Sequence, residues 1–407
     1  MKKIFNKIII LGVAFIVLFS LIVQFGWREE LRVVWTHVRD GTTSWDIPIV
    51  MNEGTILSIN KEYFNHLDFD VERFELHAVD VNGENVVKIE NNIIIANYSG
   101  ITRIVASLFR TTTLNGERII SARNATLGYV NVINKNTMTH ITTAEELADM
   151  NNNPTGHFIL MNDIDLADFG EWKPIGRVPT DWSQEHNSHQ HPSEFRFSGM
   201  FVNPFGYTIS NLTIPTSKTT RNAGLFESIR GHAFIYGIIL ENIYINVSDW
   251  SSIGDDARHS GGAIAGGIAA GAGERGVVIL NCFVSGTIIG GGAVTGGIVG
   301  VNSSFIIGST FNGILTVDVQ KTFRTSVGGI AGEHGESNNN ENRIINNSVY
   351  ADICGGETTI AGGIIGVVTT FGFSKAYCSR FVGTVSGRYA GTMVGFDIHA
   401  WHPIDFE

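Results

Sequence analysis

Apolar and glycine positions recur at a nearly fixed interval through the C-terminal part of this 407-residue chain. A Gly pair, an aliphatic residue, a spacer and another Gly form a motif, here called the glycine motif, that returns five times, the last copy being degenerate. Its copies begin at Gly266, Gly296, Gly328, Gly362 and Gly391, which lie 30, 32, 34 and 29 residues apart. Such a period indicates a stacked array in which each unit buries its apolar face only against its neighbours.

The segments between the glycine motifs are short runs of β-branched and aromatic residues interrupted by Asn, Ser or Gly. These segments are residues 277–288, 305–315, 344–353 and 377–385. Such runs predict strands of a few residues joined by tight turns, and so many glycines would weaken any helix. Two or three short strands in each unit of about 30 residues indicate a parallel β-helix. We therefore expect an all-β fold with a right-handed parallel β-helix over residues 136–407.

One corner of each expected coil carries a small residue. Stacking of the coils would place these residues above one another, facing inward, where successive backbones approach closely. The expected set is Cys282, Ser309, Ser348 and Ser379. Asn281 and Asn347 precede two of these residues, and they fit either a turn conformation or a ladder of side-chain amides.

The glycine motif, followed by an Asn-Cys or Asn-Ser step, resembles the GLUG motif of bacterial surface proteins. The preceding segments resemble the usual lead-in to GLUG repeats, in the same order: 141–147, 157–166, 172–176, 197–201, 207–214 and 223–226. The resemblance covers roughly residues 140–396. One difference is the stretch 203–206, Asn-Pro-Phe-Gly, where the family commonly has an Asp-Gly-Asn-Gly-like turn. The resemblance implies a β-helix of the kind found in adhesins and in non-catalytic regions of IgA-cleaving metallopeptidases.

A short helix is expected at the start of the array. Thr142 or Thr143, with Glu145 or Glu146 three residues later, forms a capping box, so residues 143–151 are predicted to be helical. A helix in this place would cover the first coil, whose strands would otherwise present open edges.

The N-terminal segment is predicted to cross a membrane. Three lysines at positions 2, 3 and 7 precede an almost wholly apolar stretch, and residues 8–25 are close to the lower limit for spanning a bilayer. No small-x-small cleavage site follows, which favours an uncleaved signal anchor over a cleaved signal peptide. Residues 1–28 would then be the cytoplasmic N-terminus and transmembrane anchor of a single-pass protein with an extracellular C-terminal region. Either alternative predicts export of the rest of the chain.

Residues 29–135 contain more charge and no glycine motif, which marks them as a separate domain. The apolar pattern predicts strands at 86–96, 99–106 and 125–133. A Ser-Gly-x-Thr strand followed by a last Val-rich strand resembles the C-terminal half of bacterial group 2 Ig-like domains. The resemblance implies an Ig-like β-sandwich that acts as a spacer or a binding module, and the length suits one such domain.

The composition of the chain argues against some classes of function. The net charge is −11 with only 28 basic residues and no basic cluster beyond the N-terminus, which argues against nucleic-acid binding. Three cysteines are too few for a disulfide framework. Cys354 and Cys378 could lie on neighbouring coils, but we expect small buried core residues rather than a bonded pair. No cofactor is expected.

The resemblance to IgA-cleaving metallopeptidases makes zinc the first chemistry to test. Their proteolysis needs a His-Glu-x-x-His helix, and the nearest sequence here, Glu333-His334-Gly335-Glu336, is expected to be a turn without the second His. The sequence offers a different candidate metal site, in which His186, His189 and His191 would bind the ion. Asp181 or Glu185 would complete the set of ligands. The alternative for this stretch is a solvated loop.

Acidic groups could make a β-helix a polysaccharide lyase or hydrolase. The nearest set is Asp163, Asp165 and Asp168, whose carboxylates are also suited to capping turns of the first coil. A second patch lies at 255–259, Asp-Asp-Ala-Arg-His. Neither patch shows a paired acid and base, so no catalytic residue is predicted.

These observations favour a membrane-anchored bacterial cell-surface protein with a non-catalytic, adhesin-like binding role or a structural role. Its partner would be a glycan or a host or extracellular protein, bound by side chains stacked along a rigid face. The alternative is a carbohydrate-active β-helix enzyme, a polysaccharide lyase or hydrolase.

Overall fold

The computed structural model describes residues 48–65, 70–114, 117–177, 195–215, 222–248, 263–273, 276–317, 325–335, 343–369 and 375–397. The chain is mostly β and divides into two compact units. The second unit runs from Ile133 onward and also includes the short segments Asp80–Glu84 and Ser99–Ile101. Within the described ranges no helix is long and apolar enough to cross a membrane, and the anchor predicted at residues 8–25 falls outside them.

In the described residues up to position 133, the chain forms seven strands and one 3-10 helix. Their bounds are β1 Ile49–Asn52, β2 Ile56–Ser58, 3-10 helix Lys61–Phe64, β3 Arg73–Asn82, β4 Val87–Glu90, β5 Ile93–Ala96, β6 Gly100–Leu114 and β7 Glu117–Ile133. One sheet has the order β1-β7-β6-β3 and the other the order β2-β5-β4. Residues of both sheets share one apolar core that includes Ile94, Ile104 and Val130.

The strand predicted at 86–96 is in fact the antiparallel hairpin β4–β5. Asn91 and Asn92 turn the chain, with φ of 49° and 64°. Two successive residues with positive φ are typical of the type I′ turn that closes two-residue hairpins. The prediction was wrong because it treated the Asn pair as part of a continuous apolar run.

The second unit begins with a capped lead-in. Its bounds are β8 Thr139–Ile141, α1 Ala144–Asp149, 3-10 helix Met150–Asn152, β9 His157–Leu160, β10 Ile164–Asp165, β11 Met200–Val202, β12 Thr208–Ser210 and β13 Thr213–Ile214. The predicted capping box is present: Glu146 N–H donates to Thr143 Oγ1, and Thr143 N–H donates to the Glu146 carboxylate. Leu147 and Met150 are fully buried in the core of the array, as expected of a cap on its first coil.

The following strands form four parallel sheets, named A to D, and each complete coil contributes one strand to each sheet. Sheet A contains β8, β9, β11, β16 Phe234–Tyr236, β20 Val278–Leu280, β24 Phe305–Ile307, β28 Arg343–Ile345 and β32 Lys375–Tyr377. Sheet B contains β10, β12, β13, β17 Ile239–Asn246, β21 Phe283–Gly290, β25 Thr310–Val317, β29 Ser348–Cys354 and β33 Arg380–Ser386.

The remaining two sheets lie on either side of the glycine motif. Sheet C contains β14 Asn222–Ala223, β18 Ala263–Gly266, β22 Gly292–Gly296, β26 Thr325–Gly328, β30 Thr359–Gly362 and β34 Tyr389–Gly391. Sheet D contains β15 Phe226–Ile229, β19 Ala269–Ala272, β23 Val299–Asn302, β27 Ala331–His334, β31 Ile365–Val368 and β35 Val394–Asp397. The predicted β-helix-like architecture is confirmed, but with four strands in each coil instead of two or three. The glycine motif is not a single turn, since it contains the end of one strand and the start of the next.

Close approach of successive coils explains the glycine motif. A Cβ added to Gly267 would lie 2.6 Å from Val284 Cγ1 and 2.7 Å from the carbonyl oxygen of Gly297 in the next coil. At Gly363 an added Cβ would meet the carbonyl oxygen of Thr392, again one coil further on. Neither glycine needs a positive φ, so the motif is a requirement of packing between coils. Thr392 takes the glycine position in the last coil that the structure describes.

The corner between sheets A and B carries the expected column of small polar residues, shifted by one position in one coil. Cys282 N–H donates to Ser309 Oγ (3.2 Å), Ser309 N–H donates to Asn347 Oδ1 (2.8 Å), and Asn347 N–H donates to Ser379 Oγ (3.3 Å). Asn347 therefore takes the place predicted for Ser348, which pairs with Thr310 in the sheet instead.

The residue before this column has a left-handed conformation in each coil from β16 onward. The residues and their φ values are Gly237 66°, Asn281 53°, Gly308 61°, Asn346 54° and Cys378 50°. The turn predicted at Asn281 is thus confirmed, while the turn residue in the later coil is Asn346. All three cysteines are free; Cys282 is buried as expected, but Cys354 and Cys378 are exposed, contrary to the prediction.

Substitution of a glycine in the motif should destabilise the array. We expect Gly267→Ala to lower the free energy of unfolding by about 1–3 kcal/mol, because the added methyl group collides with the next coil. The matched control is Gly271→Ala in β19, where an added Cβ would meet nothing within 4 Å. That change should alter stability by no more than about 0.5 kcal/mol. Urea unfolding followed by circular dichroism checks the prediction, and equal stabilities of the two variants would contradict it.

Candidate binding face

The sequence-predicted metal ligands His186, His189 and His191 lie outside the described residues, as does the patch at 255–259. Among the residues that the structure does describe, no group of three or more His, Cys, Asp or Glu side chains could hold a metal ion. The metal site therefore stays a prediction from sequence.

The acidic set of the first coil caps turns. Thr208 N–H donates to Asp163 Oδ1 (2.8 Å). Asp165 Oδ1 accepts from Asn211 Nδ2 (2.7 Å) and from Ala167 N–H (2.9 Å), and the Asn211 amide in particular lowers the pKa of the exposed Asp165 carboxyl. A carboxyl whose charged form is stabilised in this way is poorly suited to act as a general acid near neutral pH. Asp168 is exposed in the turn after β10.

A hydrogen-bond chain that the sequence analysis missed lies within the second unit. The Ser99 hydroxyl is 3.1 Å from His157 Nδ1, and His157 Nε2 is 3.0 Å from Asn82 Oδ1. Because the Asn82 oxygen can only accept, Nε2 carries the ring proton and Nδ1 accepts from Ser99. Desolvation by burial lowers the pKa of His157, which favours this neutral form.

These hydrogen bonds link Ser, His and Asn in an order that superficially resembles the nucleophile, base and orienting group of an enzyme. Ser99, however, is only 6% exposed, and its Oγ also accepts from Thr137 Oγ1 at 3.0 Å. These hydrogen bonds therefore satisfy buried polar groups, and Ser99 is not an accessible nucleophile. The sequence contains no signal for these hydrogen bonds, because the three partners are separated by 17–75 positions along the chain.

A second buried histidine lies inside the array. His334, expected in a turn, is the last residue of strand β27 and is fully buried. Its Nδ1 accepts from Asn302 Nδ2 (2.9 Å), while Asn302 Oδ1 accepts from Ser304 N–H (3.2 Å) and Ser304 Oγ (2.6 Å). Nε2 has no hydrogen-bond partner among the described residues. Desolvation by burial lowers the pKa of His334 to about 4.

The outward side of sheet B combines exposed apolar and polar side chains, and we call it the sheet B face. It consists of the outward side chains of β17, β21, β25, β29 and β33. Its exposed large apolar residues are Tyr244 (41%), Ile314 (46%), Tyr350 (41%) and Val382 (43%). Exposed apolar side chains that form a contiguous patch are typical of interaction sites, and Tyr350 is directly opposite Val382 on the neighbouring strand.

Parallel register arranges these residues in two columns across the coils. One column is Tyr244, Thr287, Ile314, Asp352 and Thr384, and the other is Ser285, Asn312, Tyr350 and Val382. Neighbouring members of a column belong to strands about 4.8 Å apart. The columns therefore present a regular ladder of side chains.

The polar and charged groups of the sheet B face contact one another and the aromatic residues. Thr384 Oγ1 donates to Asp352 Oδ1 at 2.6 Å. The Arg380 guanidinium carbon lies 5.8 Å from the centre of the Tyr350 ring, within the range of a cation–π contact. The inward neighbours Val284, Phe311 and Val349 are fully buried and hold the strands in place.

The sequence did contain a signal for this face. Alternation of buried Val349, Ala351 and Ile353 with exposed Tyr350 and Asp352 is the period-2 pattern of a half-buried strand. No prediction from the sequence singled out Tyr350, Asp352 or the other outward residues of these strands.

The known structures that resemble this chain do so at low similarity. No family model and no curated protein matches it. A crystal structure of a candidate immunoglobulin A1 protease from Bacteroides ovatus is similar with a TM-score of 0.45 and 17% identity, covering 64% of this chain and 71% of that one. A protein described as IgA1 protease is similar with a TM-score of 0.40 and 13% identity, covering 79% of this chain and 27% of that one. Likeness at this level carries no argument about activity.

The buried His334 should make the array sensitive to acid. The pKa of His334 in the folded chain, about 4, lies below the ordinary value of 6.5. Between these two pH values the unfolded chain therefore binds a proton at this histidine and the folded chain does not. The part of the stability that depends on neutral His334 is fully present above about pH 6.5 and is lost as the pH falls towards 4. Between pH 7 and pH 5 this loss is about 2 kcal/mol in the free energy of unfolding.

Urea unfolding at pH 7 and pH 5 checks this prediction. His334→Gln, which retains an acceptor for the Asn302 amide, should lose this part of the pH dependence. The exposed His140→Gln is the control and should retain the wild-type dependence. An unchanged pH dependence in His334→Gln would show that this histidine does not titrate as inferred.

Proposed function

We propose that this chain is a membrane-anchored bacterial cell-surface protein whose repeat array binds a ligand, without turnover, through the sheet B face. In this proposal residues 8–25 form the anchor, residues 29–135 form an Ig-like spacer, and the GLUG repeats of residues 136–407 form a right-handed β-helix that carries the binding face. The partner is a glycan or an extracellular protein.

The observation that carries this proposal is the group of exposed apolar side chains on the stacked strands of sheet B. Tyr244, Ile314, Tyr350 and Val382 each expose about two-fifths of their surface on one sheet. Burying such groups against a partner contributes favourable free energy, and the packed strands beneath them limit the loss of conformational entropy on binding. A scaffold of this kind supplies affinity without a catalytic group.

The alternative, a carbohydrate-active enzyme, needs an acid and a base at suitable separation across a groove. In the part of the chain that the structure describes, Asp163 and Asp165 are engaged in capping turns. The sheet B face offers Asp352, whose carboxylate accepts from Thr384, and Glu241 on β17, which is three strands away from Asp352. These arrangements favour binding over hydrolysis.

The first experiment is a glycan and extracellular-matrix array probed with the full chain in mild detergent, with and without EDTA. We expect reproducible binding to one ligand class with no breakdown of the ligand. Loss of binding with EDTA would support metal ligation by His186, His189 and His191. Release of products from a bound glycan would instead support the enzyme alternative.

A matched pair of substitutions connects the binding to the sheet B face. Val382→Asp places a charge among the exposed apolar residues and should weaken binding at least about tenfold. Val79→Asp changes the same residue type at nearly the same exposure, 42% against 43%, on strand β3 of the first unit. It should leave binding unchanged. Equal effects of the two changes would contradict the assignment of the face.

A further inference from the structure

Five side chains of different chemical type lie close together on one part of the sheet B face, which we call the Tyr350 patch. It consists of Tyr350, Asp352, Arg380, Val382 and Thr384 on the neighbouring strands β29 and β33. Tyr350 is directly opposite Val382, and Asp352 is directly opposite Thr384. All five side chains are exposed, so an aromatic ring, a branched aliphatic group, a carboxylate, a guanidinium and a hydroxyl lie side by side.

The charges of the patch balance and point to an uncharged ligand. Asp352 and Arg380 contribute one charge of each sign, and the only other charged residue on the five strands of the sheet B face is Glu241. Binding of a polyanion such as a sulfated glycan or a nucleic acid depends on clustered Lys and Arg side chains. Charge complementarity therefore favours a neutral partner.

The position of the charged groups favours a glycan over a protein surface. The cores of protein–protein interfaces are depleted of charged residues, which lie at the rim. In the Tyr350 patch the carboxylate and the guanidinium flank the apolar side chains directly. A neutral sugar ring matches this mixture, since its C–H groups pack on an aromatic face while its hydroxyls donate to carboxylates and accept from guanidinium and hydroxyl groups.

We infer that the Tyr350 patch binds a neutral polysaccharide, with Tyr350 and Val382 packing against the C–H face of a sugar ring and Asp352, Thr384 and Arg380 bonding its hydroxyls. This inference rests on the proposed function, since it names the ligand class of the same face. Asn312, which is exposed and directly opposite Tyr350 on β25, extends the polar contacts along the column.

The fold prepares the patch before any ligand arrives. Val349 and Ile353, the inward neighbours of Tyr350 and Asp352, are fully buried. Thr384 Oγ1 donates to the carboxylate of Asp352, and the Arg380 guanidinium lies 5.8 Å from the centre of the Tyr350 ring, at the outer limit of a cation–π contact. Side chains that are already ordered lose little further entropy when they bind, which raises affinity for a given set of contacts.

The test uses the full chain and isothermal titration with neutral glycans, namely mannan, galactan and cellohexaose, together with chondroitin sulfate as an acidic probe. Tyr350→Ala should weaken binding of the neutral glycan at least about tenfold. The matched control is Tyr389→Ala on sheet C, because Tyr389 is 39% exposed and has Arg388 at 5.5 Å from its ring, yet lies off the sheet B face. This control should bind like the wild type.

Each result separates the inference from the function on which it rests. Binding of a neutral glycan that Tyr350→Ala weakens and Tyr389→Ala does not is the expected outcome. Binding of a protein on the array, or of chondroitin sulfate alone, that Val382→Asp weakens would overturn the neutral-glycan inference and keep the binding function. Equal loss in both tyrosine variants would overturn the assignment of the patch. No binding to any probe by the folded chain would overturn both proposals in favour of a structural role.

Discussion

The close parallel stacking of backbones from one coil to the next is the constraint on which the array depends. Strands of each sheet pair with their equivalents in the next coil, so backbone groups find their hydrogen-bond partners about one coil away. This spacing leaves no room for a side chain at the corner between sheets C and D. Gly267 and Gly363 occupy that corner because the carbonyl of the following coil lies where a Cβ would be.

The same constraint divides each strand into positions that are fixed by packing and positions that are open to function. Inward residues such as Phe311 and Val349 must fill the space between four sheets and are fully buried. Outward residues such as Ile314 and Tyr350 contribute little to that core. Function in a solenoid can therefore change at outward positions without altering the fold, and a ligand that spans several coils meets a ladder of side chains at fixed spacing.

Buried polar groups in the second unit are organised as short hydrogen-bond chains. At the corner between sheets A and B, Ser309 and Asn347 accept from the backbone of the preceding coil, which satisfies donors that the turn leaves unpaired. His334 differs, since one of its nitrogens bonds Asn302 and the other has no partner among the described residues. Buried polar groups that are fully hydrogen-bonded make a core more specific, whereas a buried nitrogen without a partner costs stability.

The coil period, the all-β character and a capping box at Thr142 or Thr143 can be predicted from the sequence alone, because each of these features is local or repeats at a fixed interval. Tertiary structure was needed for the number of strands in a coil, for the left-handed conformation at Asn346 instead of Asn347, and for which outward residues lie side by side on the sheet B face. These features depend on register between strands some 30 residues apart, and neighbouring residues in the sequence do not encode it. The outward position of Tyr350 beside Val382 exists only once two coils have stacked.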